Sequence, residues 1–296
     1  SAASDVYKRQ DINIDIPIEG LTLITGVSGS GKSTLVKDVL KPALDNYLIG
    51  YSKSNKNYAN INISTQNLNR LEFIDQNPIG KSSRSNPSTY VKFYDDIRKL
   101  FTSQPLAKSR NYSPGFFSFN VDGGRCDNCK GEGEIKVEMQ FMADVYIECE
   151  ECKRKRFKDE ILEVKFSNKN IADILNFSVD EAIDFFNKNN KKMIAQRIKP
   201  LKDVGLGYIK LGQSSNTLSG GEAQRIKLAF FLSKGNTNQK TVFIFDEPTT
   251  GLHFHDIKKL LKSFNALIEK GHTIICIEHN MDVIKCADWI IDLGPV

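Results

Sequence analysis

Two rhythms of apolar residues alternate along the chain. Short, nearly unbroken apolar runs fall at 21–25 (LTLIT), 71–74 (LEFI), 241–245 (TVFIF), 273–277 (TIICI) and 289–293 (WIIDL), each the length of a strand. Ile257, Leu260, Leu261, Phe264, Leu267 and Ile268 instead recur at three and four residues, which predicts an amphipathic helix ended by Gly271. The segment 221–234 predicts a second helix, with Ile226, Leu228, Ala229 and Leu232 near one face, and Lys32 to about 46 predicts a third. Ser178-Val179-Asp180-Glu181 is a capping box that starts a helix ahead of AIDFF. Strands alternating with helices predict an α/β fold with a mostly parallel sheet covered by helices.

The rhythm changes between 80 and 199. Pro, Gly and Ser are frequent there, aromatic residues interleave with basic ones, and four cysteines stand in two pairs. The flanking segments, 11–79 and 200–296, therefore read as one domain split by an α+β insertion, 80–199. Residues 1–10 (SAASDVYKRQ) lack the apolar stretch of a signal peptide and read as a leader, disordered or non-native. The polar, Asn-rich stretch 50–70 reads as a surface loop. Composition (26% charged, 40% hydrophobic over 296 residues) excludes global disorder and leaves room for a real core. No run approaches the ~18 apolar residues of a membrane span. The net charge of +5 permits a polyanionic partner without demanding one.

Gly26-Val27-Ser28-Gly29-Ser30-Gly31-Lys32-Ser33 fits GxxxxGK[ST], with a strand before it and a helix, opening through Thr34, after it. Glycines let such a loop curl so that its N–H groups point at phosphate oxygens, and the helix presents its positive end to the anion. Lys32 is placed to reach the β- and γ-phosphates of ATP, and Ser33 to ligate Mg²⁺. The strand 241–245 ends in Asp246 and Glu247, where an aspartate suits a water-mediated hold on Mg²⁺ and a glutamate suits orientation of the attacking water. Acids also flank strands simply as solubilising charges. His279 ends a second apolar strand, on what should be the same sheet edge. Ser219, Gly220 and Gly221 open a helix with bare backbone and a hydroxyl, which suits an anion site; Ser219 with Glu222 is equally an ordinary capping box.

Cys126-x2-Cys129 and Cys149-x2-Cys152, nineteen residues apart, have zinc-ribbon spacing. With no secretion signal they favour a metal in a reducing compartment over disulfides. The alternating IKVEMQF and ADVYIE read as a hairpin that brings the two knuckles of the module 126–152 together around a structural Zn²⁺. Cys276 and Cys286 read as packing residues in a strand and a helix. Lys81, Arg84, Arg110, Arg125, Lys136 and the run Lys153-Arg154-Lys155-Arg156, with Tyr90, Phe93, Tyr112, Phe116, Phe117 and Phe119 among them, suit a nucleic-acid backbone and exposed bases, or else form a solvated charged face.

TGVSGSGKSTL, LSGGEAQR, FIFDEP and the strand-ending His279 resemble an ABC-type ATPase, with Gln76 in IDQNPIG like its glutamine loop and TTGLH (249–253) like its D-loop. With RSNPSTY, FSFNVDGGRC, the paired cysteines and EHNMDVIK added, the chain from about 11 onward resembles the C-terminal ATPase half of the UvrA family, which recognises DNA damage in bacterial excision repair. The resemblance implies catalytic roles for Glu247, His279 and Gln76, with Gln76 also near Mg²⁺. It implies an ATP site completed by the signature helix of another half, and a homodimer of the whole protein. It further implies binding of double-stranded, especially damaged, DNA, loading of UvrB without DNA cutting, and a cytoplasmic, nucleoid-associated setting with no membrane partner. One Walker loop, one signature and one zinc module, where the family carries two halves, imply a fragment. A self-resistance paralogue, a transporter's ATPase subunit and a chromosome-structuring ATPase are the alternatives; the last needs heptad arms that are absent from the sequence.

Overall fold

A computed structural model describes residues 13–50, 62, 68–80, 82–139, 145–234 and 239–294. Of the stretches read above, the leader 1–10, nearly all of 50–70, Lys81 and residues 140–144 lie outside the described residues. Among the described residues seven strands form: β1 (Leu21–Thr25), β2 (Leu68–Ile74), β3 (Glu134–Val137), β4 (Val145–Glu148), β5 (Lys240–Asp246), β6 (Thr273–Ile277) and β7 (Trp289–Asp292). The chain divides into two compact units, one made of 1–76 and 234–296, the other of 77–233.

The first unit is built on a five-stranded sheet in the order β2-β5-β6-β1-β7, with every described pairing parallel. Every residue of β1 and of β6 is buried, as expected of central strands covered on both faces. Ile24, Val242, Ile244, Ile275 and Ile277 pack with Val36 and Leu44 in one core cluster. Val36 and Leu44 come from the helical run that follows the phosphate loop, Lys32–Thr34, then a π-helical stretch Leu35–Leu40, then Lys41–Leu48. Pro42 has no N–H to donate, which breaks the i→i−4 ladder there, and at the end of the π-helical stretch just before it Lys41 N–H donates to Val36 O, five residues back. The helix Phe254–Ile268 buries Ile257, Leu260, Phe264 and Leu267, the stripe its spacing predicts. It stops where Gly271 takes φ 80° and donates its N–H to Ile268 O at 2.8 Å.

The second unit packs short helices around aromatic side chains. Phe93, Tyr94, Phe101, Phe117, Phe119 and Phe157 are essentially fully buried. Tyr94 donates its hydroxyl to Phe117 O at 2.8 Å, and burial pushes its pKa far up. The Ser178 box forms as expected around the helix Val179–Lys188, with Ser178 N–H donating to Glu181 Oε2 and Glu181 N–H to Ser178 Oγ. β3 and β4 pair antiparallel, Ile135 opposite Ile147 and Val137 opposite Val145, with all four side chains exposed.

Two expectations need correcting. Phe93, Phe117 and Phe119 are core, so they offer no faces to bases. Cys286 is exposed in the turn after the short helix Met281–Ile284, its thiol donating to Asp282 O, and is not a packing residue; Cys276, in β6, is fully buried. The two compact units part at 76/77 and at 233/234. Residues 200–233 group with 77–199 because Val204, Leu206, Ile209 and Leu211 are buried there. Their backbone is stitched to that unit as well, through Val179 N–H to Ile209 O and Leu211 N–H to Phe177 O.

Candidate functional site

Because the sheet is parallel, the carboxyl ends of β1, β5 and β6 share one edge, the edge where open α/β sheets hold ligands. The phosphate loop leaves β1 there. Gly26 has φ 136°, and a Cβ on it would lie 2.4 Å from Leu293 O, so only glycine fits this turn. Gly29 and Gly31 are also in the left-handed region. Lys32 is buried and donates its ammonium to Gly26 O at 2.9 Å and Val27 O at 2.8 Å, folding over its own loop. Ser30 Oγ is buried with no partner among the described residues, a polar atom left for a ligand oxygen. Val27, Ser28, Ser33 and Thr34 are exposed around it.

Asp246 closes β5, and one of its carboxylate oxygens lies 2.6 Å from Lys37 Nζ, a pair the sequence did not suggest. Glu247 follows with φ 48°, its N–H bonded to Ile277 O at 3.0 Å. Glu247 Oε1 lies 3.1 Å from His279 Nε2, with both side chains about half exposed. Gln76, two residues past β2, points Nε2 at the carbonyl of Glu247 from 3.5 Å, the outer limit of a hydrogen bond. The structure thus brings Glu247, His279 and Gln76 together at one edge. It adds Glu278, which is 2% exposed and which sequence reasoning passed over. A charged residue directly after a five-residue buried strand was the signal that could have found it.

In the second unit, Ser219 N–H donates to Glu222 Oε2 at 2.8 Å and Glu222 N–H to Ser219 Oγ at 3.3 Å, so the capping box is made at the start of the helix Gly220–Ser233. Ser219 is exposed and Gly220 and Gly221 half-buried at that end, while Gln224 and Arg225 turn into the core.

The four cysteine sulfurs all lie within 4.8 Å of one another, with Cys126–Cys149 at 3.9 Å and Cys129–Cys152 at 3.5 Å. Four thiolates at ~2.3 Å from a tetrahedral Zn²⁺ would be about 3.8 Å apart, so the donor set fits that ion. The thiols are free, buried and served by N–H donors, Gly133 N–H to Cys129 Sγ and Asn128 Nδ2 to Cys149 Sγ. Burial pushes the Cys126 thiol up to about 11. Burial also pushes on Cys149, but the N–H groups of Cys152 and Glu151 outweigh it and hold that thiol below its usual range.

The basic candidates divide. Arg84 reaches Lys130 O and sits 3.8 Å from Glu132; Arg110 binds Glu160 O and Glu163; Arg125 pairs with Asp122; Lys136 lies 3.1 Å from Glu138; Arg154 spans Glu134 and Glu148. Tyr112 stacks on Phe116 with ring centres 4.8 Å apart. Arg156 turns inward, donates to Gly212 O at 3.1 Å and lies over the Phe119 ring at 5.3 Å. Lys153 and Lys155 are exposed, and no partner is found for either ammonium among the described residues.

No family model matches the chain. It is 56% identical over 289 residues to UvrABC system protein A of Aquifex aeolicus, covering 98% of this chain and 31% of that protein. To the protein of the same name in Borreliella burgdorferi it is 54% identical over 292 residues, covering 99% of this chain and 30% of the other. The crystal structure of UvrA2 from Deinococcus radiodurans superposes with a TM-score of 0.84 at 46% identity, over 94% of this chain and 33% of that one. The chain therefore spans about a third of the length of the relatives it matches. Over that span, with its parallel sheet, phosphate loop and four-cysteine hairpin, it resembles one part of UvrABC system protein A.

Proposed function

We propose that this chain is the ATPase half of a DNA-damage-recognition subunit of nucleotide excision repair, which binds and hydrolyses ATP and engages double-stranded DNA. The observation that carries the reading is the meeting of Glu247 and His279 on the sheet edge that also bears the phosphate loop and Asp246, in a chain that also holds four clustered cysteines. That cysteine hairpin, and identity above 50% to UvrABC system protein A along nearly the whole chain, favour excision repair over a transporter subunit.

In this reading the N–H groups of Gly26 to Thr34 cradle the phosphates, and Lys32 leaves its own carbonyls to reach them. Ser33 and Asp246, with Gln76 beside them, would hold Mg²⁺, which supplies neutralisation of phosphate charge when bound. Glu247 orients and takes the proton of the attacking water, and His279 fixes the Glu247 carboxylate. Ser219, Gly220 and Gly221 supply an anion site to the nucleotide of a second half, within a homodimer of the whole protein. Cys126, Cys129, Cys149 and Cys152 hold one structural Zn²⁺ that fixes the hairpin, and the exposed lysines beside it face DNA. The assembled protein loads UvrB and leaves DNA cutting to others, in the bacterial cytoplasm at the nucleoid. Among the described residues no helix is long and apolar enough to cross a membrane.

The test is DNA binding with and without ATP, on intact and lesion-bearing duplexes across a salt series, with zinc measured on the same sample. Salt-sensitive binding that shifts with nucleotide supports the reading. A folded, zinc-loaded protein that ignores both DNA and nucleotide overturns it.

A further inference from the structure

Glu278 is a carboxylate in a place that packing alone would fill with an apolar side chain. It follows the buried run of β6 and is itself 2% exposed. Burying a charge without partners is costly, and no lysine or arginine pairs with it among the described residues. Its charge is met by hydrogen bonds alone. Oε1 accepts from Thr249 N–H at 2.8 Å and from Thr249 Oγ1 at 2.6 Å. Oε2 accepts from His279 N–H at 2.9 Å and from Asn280 N–H at 3.2 Å.

The two oxygens therefore serve two different turns. One turn leaves β5 and carries Glu247; the other leaves β6 and carries His279. The backbone tightens the same joint, with Glu247 N–H on Ile277 O at 3.0 Å, while Glu278 N–H on Ile24 O at 3.3 Å ties the end of β6 to β1. Glu247 also sits at φ 48°, a conformation a glutamate keeps only when its surroundings impose it.

We propose that Glu278 is a positioning residue for ATP turnover: its buried carboxylate ties the turn after β5 to the turn after β6 and so holds Glu247 against His279. The proposal rests on the ATPase reading above. It concerns the chemical step and not nucleotide affinity, because neither turn belongs to the phosphate loop.

The experiment uses Glu278→Gln, Thr249→Val and Thr249→Ser in the full-length protein that carries this chain. Steady-state turnover is measured against ATP concentration, and binding of a non-hydrolysable ATP analogue is measured separately. A glutamine would turn an N–H₂ group toward N–H or O–H donors. Glu278→Gln should lower kcat about 10- to 100-fold, the scale of a misplacement near 1 Å, with the analogue's Kd unchanged. Thr249→Val should shift kcat in the same direction, and Thr249→Ser should stay above Thr249→Val. Wild-type kcat in Glu278→Gln overturns the proposal, as does a parallel loss of binding and turnover. If Glu278→Gln does not fold, Thr249→Val decides by the same criteria. Lys32→Ala separates the two levels. Unchanged analogue binding in Lys32→Ala defeats the nucleotide reading itself. Loss of binding there, with normal turnover in Glu278→Gln, defeats only the assignment of Glu278.

Discussion

Glu247 Oε1 and His279 Nε2, 32 residues apart in sequence, stand 3.1 Å apart at the ends of two neighbouring parallel strands. The contact follows from the register of β5 on β6, which sets Asp246 beside Ile277 and so carries the next residues of both strands past the sheet edge together. A carboxylate held by a second side chain in this way has a defined direction, which a solubilising acid does not need.

Glu247→Gln should keep ATP binding and slow hydrolysis by about 10²- to 10⁴-fold, the range of positioned general-base catalysis. His279→Ala should slow it less, since Glu247 keeps its backbone anchor on Ile277 O. Single-turnover kinetics on the assembled protein check both, and wild-type turnover in Glu247→Gln removes the assigned role.

Cys149→Ser should release the metal. The wild type should carry one zinc per hairpin and the variant none, read by elemental analysis. Because the apolar cross-strand pairs of β3 and β4 are left exposed, the hairpin has little core of its own. Structural zinc contributes on the order of 10 kcal/mol in such modules. Limited proteolysis should therefore cut within 126–158 in the variant, while the sheet unit stays protected. A zinc-free wild type would sink this expectation.

Lys153 and Arg156 should behave as opposites despite lying in one basic run. Lys153→Ala and Lys155→Ala should each weaken DNA binding and reduce the slope of log K against log salt by about 0.9, the yield of one lost phosphate contact. Arg156→Ala should instead lower the melting temperature, because it removes the bond to Gly212 O and the stack on Phe119. A salt slope that falls with Arg156→Ala while stability holds would contradict its inward placement.

His272 should make the first unit sensitive to mild acid. It is buried against Phe243, accepts Thr241 N–H on Nδ1 at 3.2 Å, and its pKa is lowered by burial and by Lys270. Below its ordinary pKa the unfolded chain binds a proton that the folded chain refuses, so stability falls as the pH drops through that value toward the lower, folded one. Above it the group is neutral in both states and contributes no slope. His272→Asn keeps an acceptor for Thr241 without the titration. Its melting temperature should fall less than that of wild type between about pH 7 and 5; equal slopes would exclude His272 as the cause.

The sequence by itself determined the elements and the local chemistry. Runs such as TIICI and TVFIF could only be buried strands once parallel pairing covered both faces, and the 257–268 stripe could only bury one side of a helix. GxxxxGK and the two CxxC pairs were legible because their function depends on short-range spacing, which a loop or knuckle realises locally. Side-chain destinations were not legible, because they depend on which elements meet. Phe117 and Phe119 read as candidates to meet bases until packing buried them, and Arg156 read like Lys153 until Gly212 and Phe119 came within its reach. Glu278 is the clearest case. Its hydrogen bonds to His279 and Asn280 are local, but those to Thr249 cross 29 residues and exist only because β5 and β6 lie side by side. Pairing of distant strands is a property of the folded chain as a whole, and only the tertiary structure could decide it.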